Sequence, residues 1–322
     1  MSNPNFGVGI SGLGFYVPPR VMTNQEFVDL GLDTSDEWIV SRTGIRQRHV
    51  AGPDVMTSEL GIHAARQALA QSGISATDLS MIIVATSTPD YPYFPSVACL
   101  IQQALGATHA GAFDVSAACS GFNYAMTVAT QFVQTGSAQH VMVVAADCLS
   151  KTVDWSDRSL CVLFGDGAGA AVVSRVQPGF GILYSKLYSN GEHAGILCGS
   201  PQTKWIEMNG RAVFKVAVDA IVPAVMEALS SCGLQVSDIQ WFIPHQANAR
   251  IIEHVAEKIG FSSDAVVVNI DRYGNTSAAS IPIALSEWNA HSRFKPGDLI
   301  LTIGFGAGFT WAVQVIKWGG NQ

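Results

Sequence analysis

Charged residues are scarce in this 322-residue sequence: 13% are Asp, Glu, Lys or Arg, against roughly 25% in an ordinary soluble protein. Positive charge is scarcer still. With 18 Lys and Arg against 25 Asp and Glu, the net charge is −7. No general field exists to neutralise phosphates, and nucleic acid is excluded as a partner. There are six cysteines, at positions 99, 119, 148, 161, 198 and 232, and none pair as Cys-x-x-Cys. A disulfide framework is not expected, and neither is a metal site or a bound cofactor. The opening stretch MSNPNFGVGISGLGFYVP has no basic segment followed by an apolar core and a cleavage site, so no secretory signal is expected. No apolar run approaches the roughly 18 residues of a membrane span. The run VMVVAA, for example, starts at Val141 and stops at Asp147. Together these absences predict a cytoplasmic protein with reduced thiols and no membrane partner.

What the sequence has in quantity is apolar surface. Apolar residues make up 48% of the chain, alongside 31 Gly, which excludes disorder and points to a large, well-buried globular enzyme. The chain also repeats itself. ALAQSGISATDLSMIIVA from Ala68 matches ALSSCGLQVSDIQWFIPH from Ala228, 160 residues on and without a gap. GAFDVSAACSG around Asp114 weakly matches VVVNIDRYGNTS around Asn269 at an offset of 155, and VMVVAA from Val141 matches LILTIG from Leu299 at 158. Each copy reads helix, turn, buried strand, helix, strand, helix, strand. Residues 64–71 are helical up to Gly73, MIIVAT is a buried strand, and SVACLIQQALG is a helix that Gly106 ends. Buried strands alternating with helices predict an α/β fold with parallel sheets under helical cover. We expect two duplicated halves about a pseudo-twofold, residues 1–175 and 176–322, with the boundary near Ser174–Pro178. Residues 178–210 break the repeat and are expected to form an irregular surface excursion.

The repeat places three residues at strand ends, where ligand sites form in open α/β sheets. At offset 155 Cys119 aligns with Gly274 and Ser120 with Asn275; at offset 160 His245 aligns with Ala85. Cys119, in DVSAACSGFNYAM, precedes a helix starting near Ser120–Phe122, whose dipole favours a thiolate. Taken alone it is equally a small packed residue. His245, in WFIPHQANARI, opens a polar run after a buried strand, yet a lone His is commonly a satisfied polar residue. Gly274 and Asn275, in DRYGNTSAASIP, also make an ordinary turn. Together the three supply one nucleophile and two donors for developing negative charge. Asp271 is the only carboxylate in the two downstream motifs, and nothing ties it to His245, which argues against a hydrolase with a carboxylate-oriented base. IGFGAGFTW, with Gly304, Gly306 and Gly308, either brings backbone N–H groups to an oxyanion or makes a tight turn between strands.

Seven motifs run in order from about Gly12 to the C-terminus: TSDEWIVSRTGIRQRH, AACSGF, LFGDGAGAAVV, MNGRAVFKVAV, PHQANARI, DRYGNTSAASIP and GFGAGFTW. On these the chain resembles the β-ketoacyl-[acyl-carrier-protein] synthase III family of condensing enzymes. The resemblance implies a thiolase-like fold, two fused halves in a five-layer αβαβα sandwich. It implies that Cys119 accepts an acyl group, and that His245 and Asn275 promote decarboxylation and hold the resulting enolate. It implies an oxyanion hole from the N–H groups of Cys119 and Ala307. Many relatives have Gly at the latter position, and Ala still offers its N–H. Coenzyme A would meet Trp38 and Arg158 around its adenine, with Thr34 and Arg42 beside the nucleotide. Arg211, where the family often has Asn, would lie near the pantetheine entrance. Phe94 would reach the acyl pocket of a second copy, implying a homodimer. A carrier protein would contact Lys215, Gln246, Ala247, Asn248, Ala249, Arg250 and Lys258. The cations among them form a local patch able to steer an acidic partner despite the net charge.

The implied reaction condenses an acyl-coenzyme A primer, acetyl in the first instance, with malonyl-acyl carrier protein, and starts type II fatty acid synthesis. Acyl-coenzyme A is then a substrate and not a cofactor. The alternative is a related thiolase-fold condensing enzyme or acyltransferase with a different primer or extender, as in secondary metabolism. A hydroxymethylglutaryl-type synthase needs a catalytic Glu, and Glu59 is not in a motif that matches it. A catalytically silent scaffold would have no reason to keep all three residues.

Overall fold

The structure is a computed structural model that describes residues 6–320. The first five residues of the amino-terminal stretch read above, and the last two of the chain, lie outside the described residues. Chain order begins β1 (Gly7–Tyr16), β2 (Val21–Thr23), α1 (Asn24–Asp29), α2 (Asp36–Thr43), β3 (Gln47–His49), α3 (Thr57–Ser72), β4 (Met81–Ala85), α4 (Val97–Leu105), β5 (Gly111–Val115), α5 (Gly121–Gln134), β6 (His140–Cys148) and β7 (Asp166–Val176). It continues β8 (Gly181–Ser189), β9 (Leu197–Gly199), β10 (Ile206–Met208), α6 (Gly210–Cys232), β11 (Trp241–Pro244), α7 (Ala249–Ile259), α8 (Ile270–Tyr273), α9 (Ser280–Ala290), β12 (Leu299–Gly306) and β13 (Thr310–Lys317). No helix among the described residues is long and apolar enough to cross a membrane.

The helix ends follow from local chemistry. The Glu59 carboxylate accepts the Met56 N–H at the start of α3, and Gly73 ends that helix in the left-handed region at φ 70°. α4 begins where Asp114 accepts the Val97 and Ala98 N–H groups, both at 2.8 Å, and stops at Gly106, φ 69°. Both stops fall where the sequence predicts them.

The main sheets have the orders β1-β7-β6-β4-β5 and β11-β12-β13-β8. Read from the β8 edge, the second sheet repeats the first, with β8, β13, β12 and β11 standing for β1, β7, β6 and β4. The fifth station of the second sheet is only an isolated parallel bridge between Phe242 and Val266. The sheets are mixed, contrary to the expectation of parallel pairing. β4 pairs in parallel with β5 and β6, but β1/β7 and β6/β7 are antiparallel. Three residues join β12 to β13, too few for a crossover, so that pair can only run antiparallel, and no α-helix lies between β6 and β7 to carry one. The expected excursion is also shorter than 178–210, because β8 is an integral edge strand paired to β13.

The structure corrects the repeat alignment around the nucleophile as well. The short 3₁₀ turns Ala118–Ser120 and Ser277–Ala279 occupy equivalent places ahead of α5 and α9, and Ala118 and Ser277 both sit in the left-handed region, at φ 44° and 55°. Cys119 therefore corresponds to Ala278, an offset of 159, and not to Gly274. β6 and β12 share this offset. Met81 pairs Val141 and its counterpart Trp241 pairs Ile300, one residue from the predicted match. A one-residue slip matters because it exchanges the two faces of a strand.

Five layers result, as the resemblance implies. α3 and α4 cover the outer face of the first sheet through a core that includes Leu60, Ala64, Ile82, Val84, Ile101 and Val144. α5 and α9 lie between the sheets, burying Phe122, Met126, Ile281 and Leu285 among residues of both. α6 and α7 cover the second sheet through Ile221, Val225, Phe242, Val255 and Leu301. A fourth cluster packs α1 and α2 with residues 149–164 and Ile270, and roofs the site described next.

Candidate active site

A cavity of about 1290 Å³ opens where the strand ends of the two halves meet, and Cys119, His245 and Asn275 all line it. Each arrives on a different piece of backbone. Cys119 lies in the middle of the turn that feeds α5. His245 is the first residue after β11, held by its N–H to the Ile303 carbonyl of β12 at 2.8 Å. Asn275 follows Gly274 and bridges Phe164: its N–H reaches the Leu163 carbonyl at 2.9 Å, and its own carbonyl accepts from Gly165 at 3.0 Å.

Hydrogen bonding decides which way each polar group faces. The Asn275 side-chain oxygen accepts the Ser277 N–H at 2.9 Å, which leaves the amide NH₂ as the free donor. His245 Nδ1 lies 2.7 Å from Ser280 Oγ, which also accepts the Gln246 N–H at 3.2 Å. We assign the Ser280 hydroxyl as the donor to Nδ1, which puts the imidazole's own proton on Nε2. No carboxylate orients His245. The Phe305 ring meets the imidazole edge-on at 5.1 Å, and burial pushes the imidazole down to about 3, with no charge to offset it. It is a neutral N–H donor, as is Asn275.

Burial acts on Cys119 in the opposite sense. Desolvation pushes the thiol up to about 12, with Asp147 adding repulsion and a contact to Ser277 lowering it. The helix-terminus effect expected from the sequence is outweighed, and the resting group is a thiol.

Of the two readings the sequence left open for the glycine-rich segment, the structure shows the turn. The segment turns tightly between β12 and β13, and it brings Gly306 against the nucleophile. A Cβ added at Gly306 would lie 2.8 Å from both the Cys119 N and its Cβ, so glycine is needed for close approach. Thr310 Oγ1 lies 2.9 Å from the Ala307 carbonyl, 2.8 Å from Ser120 Oγ and 3.2 Å from the Ala117 carbonyl. This clasp fixes the Ala307 turn against the Cys119 turn. Neither the Cys119 nor the Ala307 N–H donates to a backbone carbonyl among the described residues.

Of the residues implied for coenzyme A, Trp38, Arg42 and Arg211 line the cavity. The Arg42 and Arg158 guanidiniums each lie over Trp38, 5.0 Å from the ring centroid, and Arg158 also pairs with Asp33 at 2.9 Å. A base can enter between Trp38 and Arg158 only if Arg158 swings off the ring. Thr34 stands off the wall, its hydroxyl buried and unpartnered among the described residues. Phe94 is 83% exposed on the loop after β4, outside this cavity. Ala247, Asn248 and Arg250 reach the wall; Lys215 and Lys258 are exposed beyond it, and Ala249 packs against α2 residues. Gln246 is a correction. It is 1% exposed, and its side chain is fully engaged with the Pro244 and Val267 carbonyls and the Asn269 N–H, leaving nothing to offer a carrier protein. Sequence reasoning missed Ser280, Ser277 and Thr310. Asp147 was visible only as the charge that closes an apolar run.

The chain is similar over most of its length to known proteins. A family profile described as 3-oxoacyl-[acyl-carrier-protein] synthase III matches residues 113–191, and the corresponding C-terminal profile matches residues 229–318. The β-ketoacyl-[acyl-carrier-protein] synthase III of Caldanaerobacter subterraneus is 48% identical, covering 96% of this chain and 97% of its own. The crystal structure of 3-oxoacyl-[acyl-carrier-protein] synthase III from Aquifex aeolicus superposes with a TM-score of 0.94 at 45% identity, covering 97% of this chain and all of its own. The priming β-ketosynthase of the R1128 polyketide pathway also superposes at 0.94, with 35% identity over 100% of this chain and 99% of its own. A cysteine, a neutral histidine and an asparagine amide converging between two duplicated sheets, in a chain this similar over its length, make it a member of the β-ketoacyl-[acyl-carrier-protein] synthase III family, thiolase-fold condensing acyltransferases.

Proposed function

We propose that this protein condenses an acyl-coenzyme A primer with malonyl-acyl carrier protein, releasing carbon dioxide and coenzyme A and forming a 3-oxoacyl-carrier protein. In the first step Cys119 sulfur bonds to the thioester carbon, and the N–H groups of Cys119 and Ala307 hold the oxyanion. In the second, malonyl decarboxylation leaves an enolate whose oxygen takes hydrogen bonds from His245 Nε2 and Asn275 Nδ2. Its carbon attacks the acyl-Cys119 thioester. The observation that carries this reading is the pair of neutral donors, one imidazole and one amide, without a carboxylate behind the imidazole. Such a pair stabilises negative charge and is poorly suited to abstracting a proton.

Coenzyme A entering past Trp38, Arg42 and Arg211 is supported by their place on the cavity wall and by the affinity of guanidinium for phosphate. A carrier protein meeting Arg250, with Lys215 and Lys258 beyond, is supported by their exposure. A homodimer is supported by β5, an edge strand paired on one side only, beside a loop exposing Tyr91, Tyr93 and Phe94. Division near residue 175 is supported by the end of β7 at Val176, and a cytoplasmic setting by six free thiols. The likeness to a polyketide priming enzyme favours one second reading, a priming role with another acyl chain. Offering the purified enzyme acetyl-, butyryl-, isobutyryl- and octanoyl-coenzyme A and reading the mass added to the Cys119 peptide tests both. Rapid acetylation is expected; preference for a longer chain supports the second reading, and no adduct on Cys119 refutes both.

A further inference from the structure

The proposed reaction leaves one proton unaccounted for. Cys119 rests as a thiol, and bonding to the primer carbon must release its proton. His245 is a poor acceptor, because burial holds it neutral well below the usual imidazole range and its Nδ1 is occupied by Ser280. One other titratable group is buried beside Cys119 and has no part in the steps above. This is Asp147, at the end of β6.

Its position follows from the duplication. Asp147 stands where Gly306 stands in the second half, 159 residues on. Gly306 closes β12 against the Ala118–Ser120 turn, and β6 packs in the same way against the equivalent Ser277–Ala279 turn. The station that brings a bare glycine to Cys119 in one half brings a carboxylate to Ser277 in the other. Asp147 is 0% exposed. Its Oδ1 accepts from Ser87 N–H at 2.6 Å, Thr86 Oγ1 at 3.1 Å and Thr88 Oγ1 at 3.2 Å. Its Oδ2 is buried without a partner that meets hydrogen-bond geometry among the described residues. The Ser277 hydroxyl lies beside both the Cys119 sulfur and the Asp147 carboxylate, and Ser277 is held there in the left-handed region.

We propose that Asp147 takes up the Cys119 thiol proton, relayed by the Ser277 hydroxyl, as the sulfur attacks the primer thioester. The proposal rests on Cys119 being the acyl acceptor. The S–H bond breaks as the new S–C bond forms, Ser277 passes its own proton to Asp147 Oδ2 and receives the thiol's, and the negative charge moves from the Asp147 carboxylate to the thioester oxygen, where the Cys119 and Ala307 N–H groups hold it. When the tetrahedral intermediate collapses, the departing coenzyme A sulfur takes the proton back along the same hydroxyl. Desolvation pushes Asp147 up to about 6, which suits a base working near neutral pH. The other titratable groups facing it are Cys119 and Cys148, with Asp166 and Lys151 beyond Cys148. Asp166 is engaged by Ser150 and the Ala51 N–H.

The test is the rate of Cys119 acylation by acetyl-coenzyme A, by rapid quench and intact mass from pH 5 to 9, in wild type, Asp147→Asn and Ser277→Ala. Wild type is expected to gain rate through a limb near pH 6. Both variants are expected to lose that limb and to fall about 100-fold at pH 7. A mere neighbouring charge predicts the reverse, since removing a negative charge makes the thiol easier to ionise. An Asp147→Asn enzyme that acylates at or above the wild-type rate overturns the proposal. If that variant does not fold, Ser277→Ala decides alone, because it leaves every Oδ1 bond in place, and retention of the limb there overturns the relay. Failure of the wild type itself to acylate Cys119 would instead remove the reading on which the relay rests.

Discussion

The turns Ala118–Ser120 and Ser277–Ala279 are one piece of backbone used twice. Each carries a non-glycine residue in the left-handed region and feeds a helix buried between the two sheets. The first carries the nucleophile. The second lies beside His245 and Asn275, whose free N–H groups are donors. Both line one cavity, and burial moves their protons in opposite senses: the Cys119 thiol up to about 12 and the imidazole down to about 3. Neutrality suits a donor and disables a nucleophile. A duplicated scaffold can thus place two sets of groups face to face, but it cannot give both halves the protonation state they need from burial alone. Half-specific side chains must supply the difference.

The sharpest way to break this division of labour is to remove one side of it. Cys119→Ala should abolish the covalent acyl adduct altogether, read as no added mass after incubation with acetyl-coenzyme A. Adduct formation at wild-type rate would place the nucleophile elsewhere. His245→Ala should leave acylation within about threefold while condensation falls roughly 10³-fold, since a preorganised donor to a developing oxyanion contributes on that scale. Asn275→Ala should show the same split with a smaller loss, about 10²-fold. Equal losses in both half-reactions would mean that the two turns do not divide the chemistry.

Acid sharpens the comparison differently. An imidazole lowered to about 3 in the folded chain stays neutral through the usual working range, so condensation by preformed acyl-enzyme should show no histidine limb between pH 8 and 5.5. Stability behaves otherwise. The unfolded chain binds a proton at the ordinary histidine value near 6.5, while the folded chain refuses it. The contribution is therefore fully present above about 6.5 and is lost progressively as pH falls toward 3. The unfolding midpoint of wild type should drop with acid more steeply than that of His245→Asn. Parallel curves would show that the imidazole is not held neutral.

Much of this was legible in the sequence because it is written locally. Gly73 and Gly106 stop helices by their own backbone freedom, and a gapless 18-residue match at an offset of 160 needs no fold to be seen. The three reactive residues showed themselves as polar interruptions at the ends of buried strands. What stayed hidden depends on distance and on inward turning. Ser280 is 35 positions from His245, and Thr310 is 190 from Ser120. Gln246 sits in a polar run that looks like surface, yet it faces inward because three backbone groups around β11 need its amide. The second copy lost register around Asn275 because its fifth strand has dwindled to a single bridge, and the chain there no longer keeps the spacing of the first.

Arg250 offers the smallest expected effect and separates the cavity mouth from the chemistry within. It lines the cavity on α7, exposed, two residues after Asn248, whose amide caps that helix and donates to the Arg42 carbonyl. An exposed cation there can guide a bulky acidic partner. Arg250→Glu should raise the KM for malonyl-acyl carrier protein about tenfold, roughly 1.4 kcal/mol. The effect should shrink with added salt as screening shortens the reach of the charge. Acylation of Cys119 by acetyl-coenzyme A should stay unchanged. If both substrates lose equally, Arg250 serves the common tunnel, and the mouth of the cavity is no more specialised between the two half-reactions than a shared corridor would be.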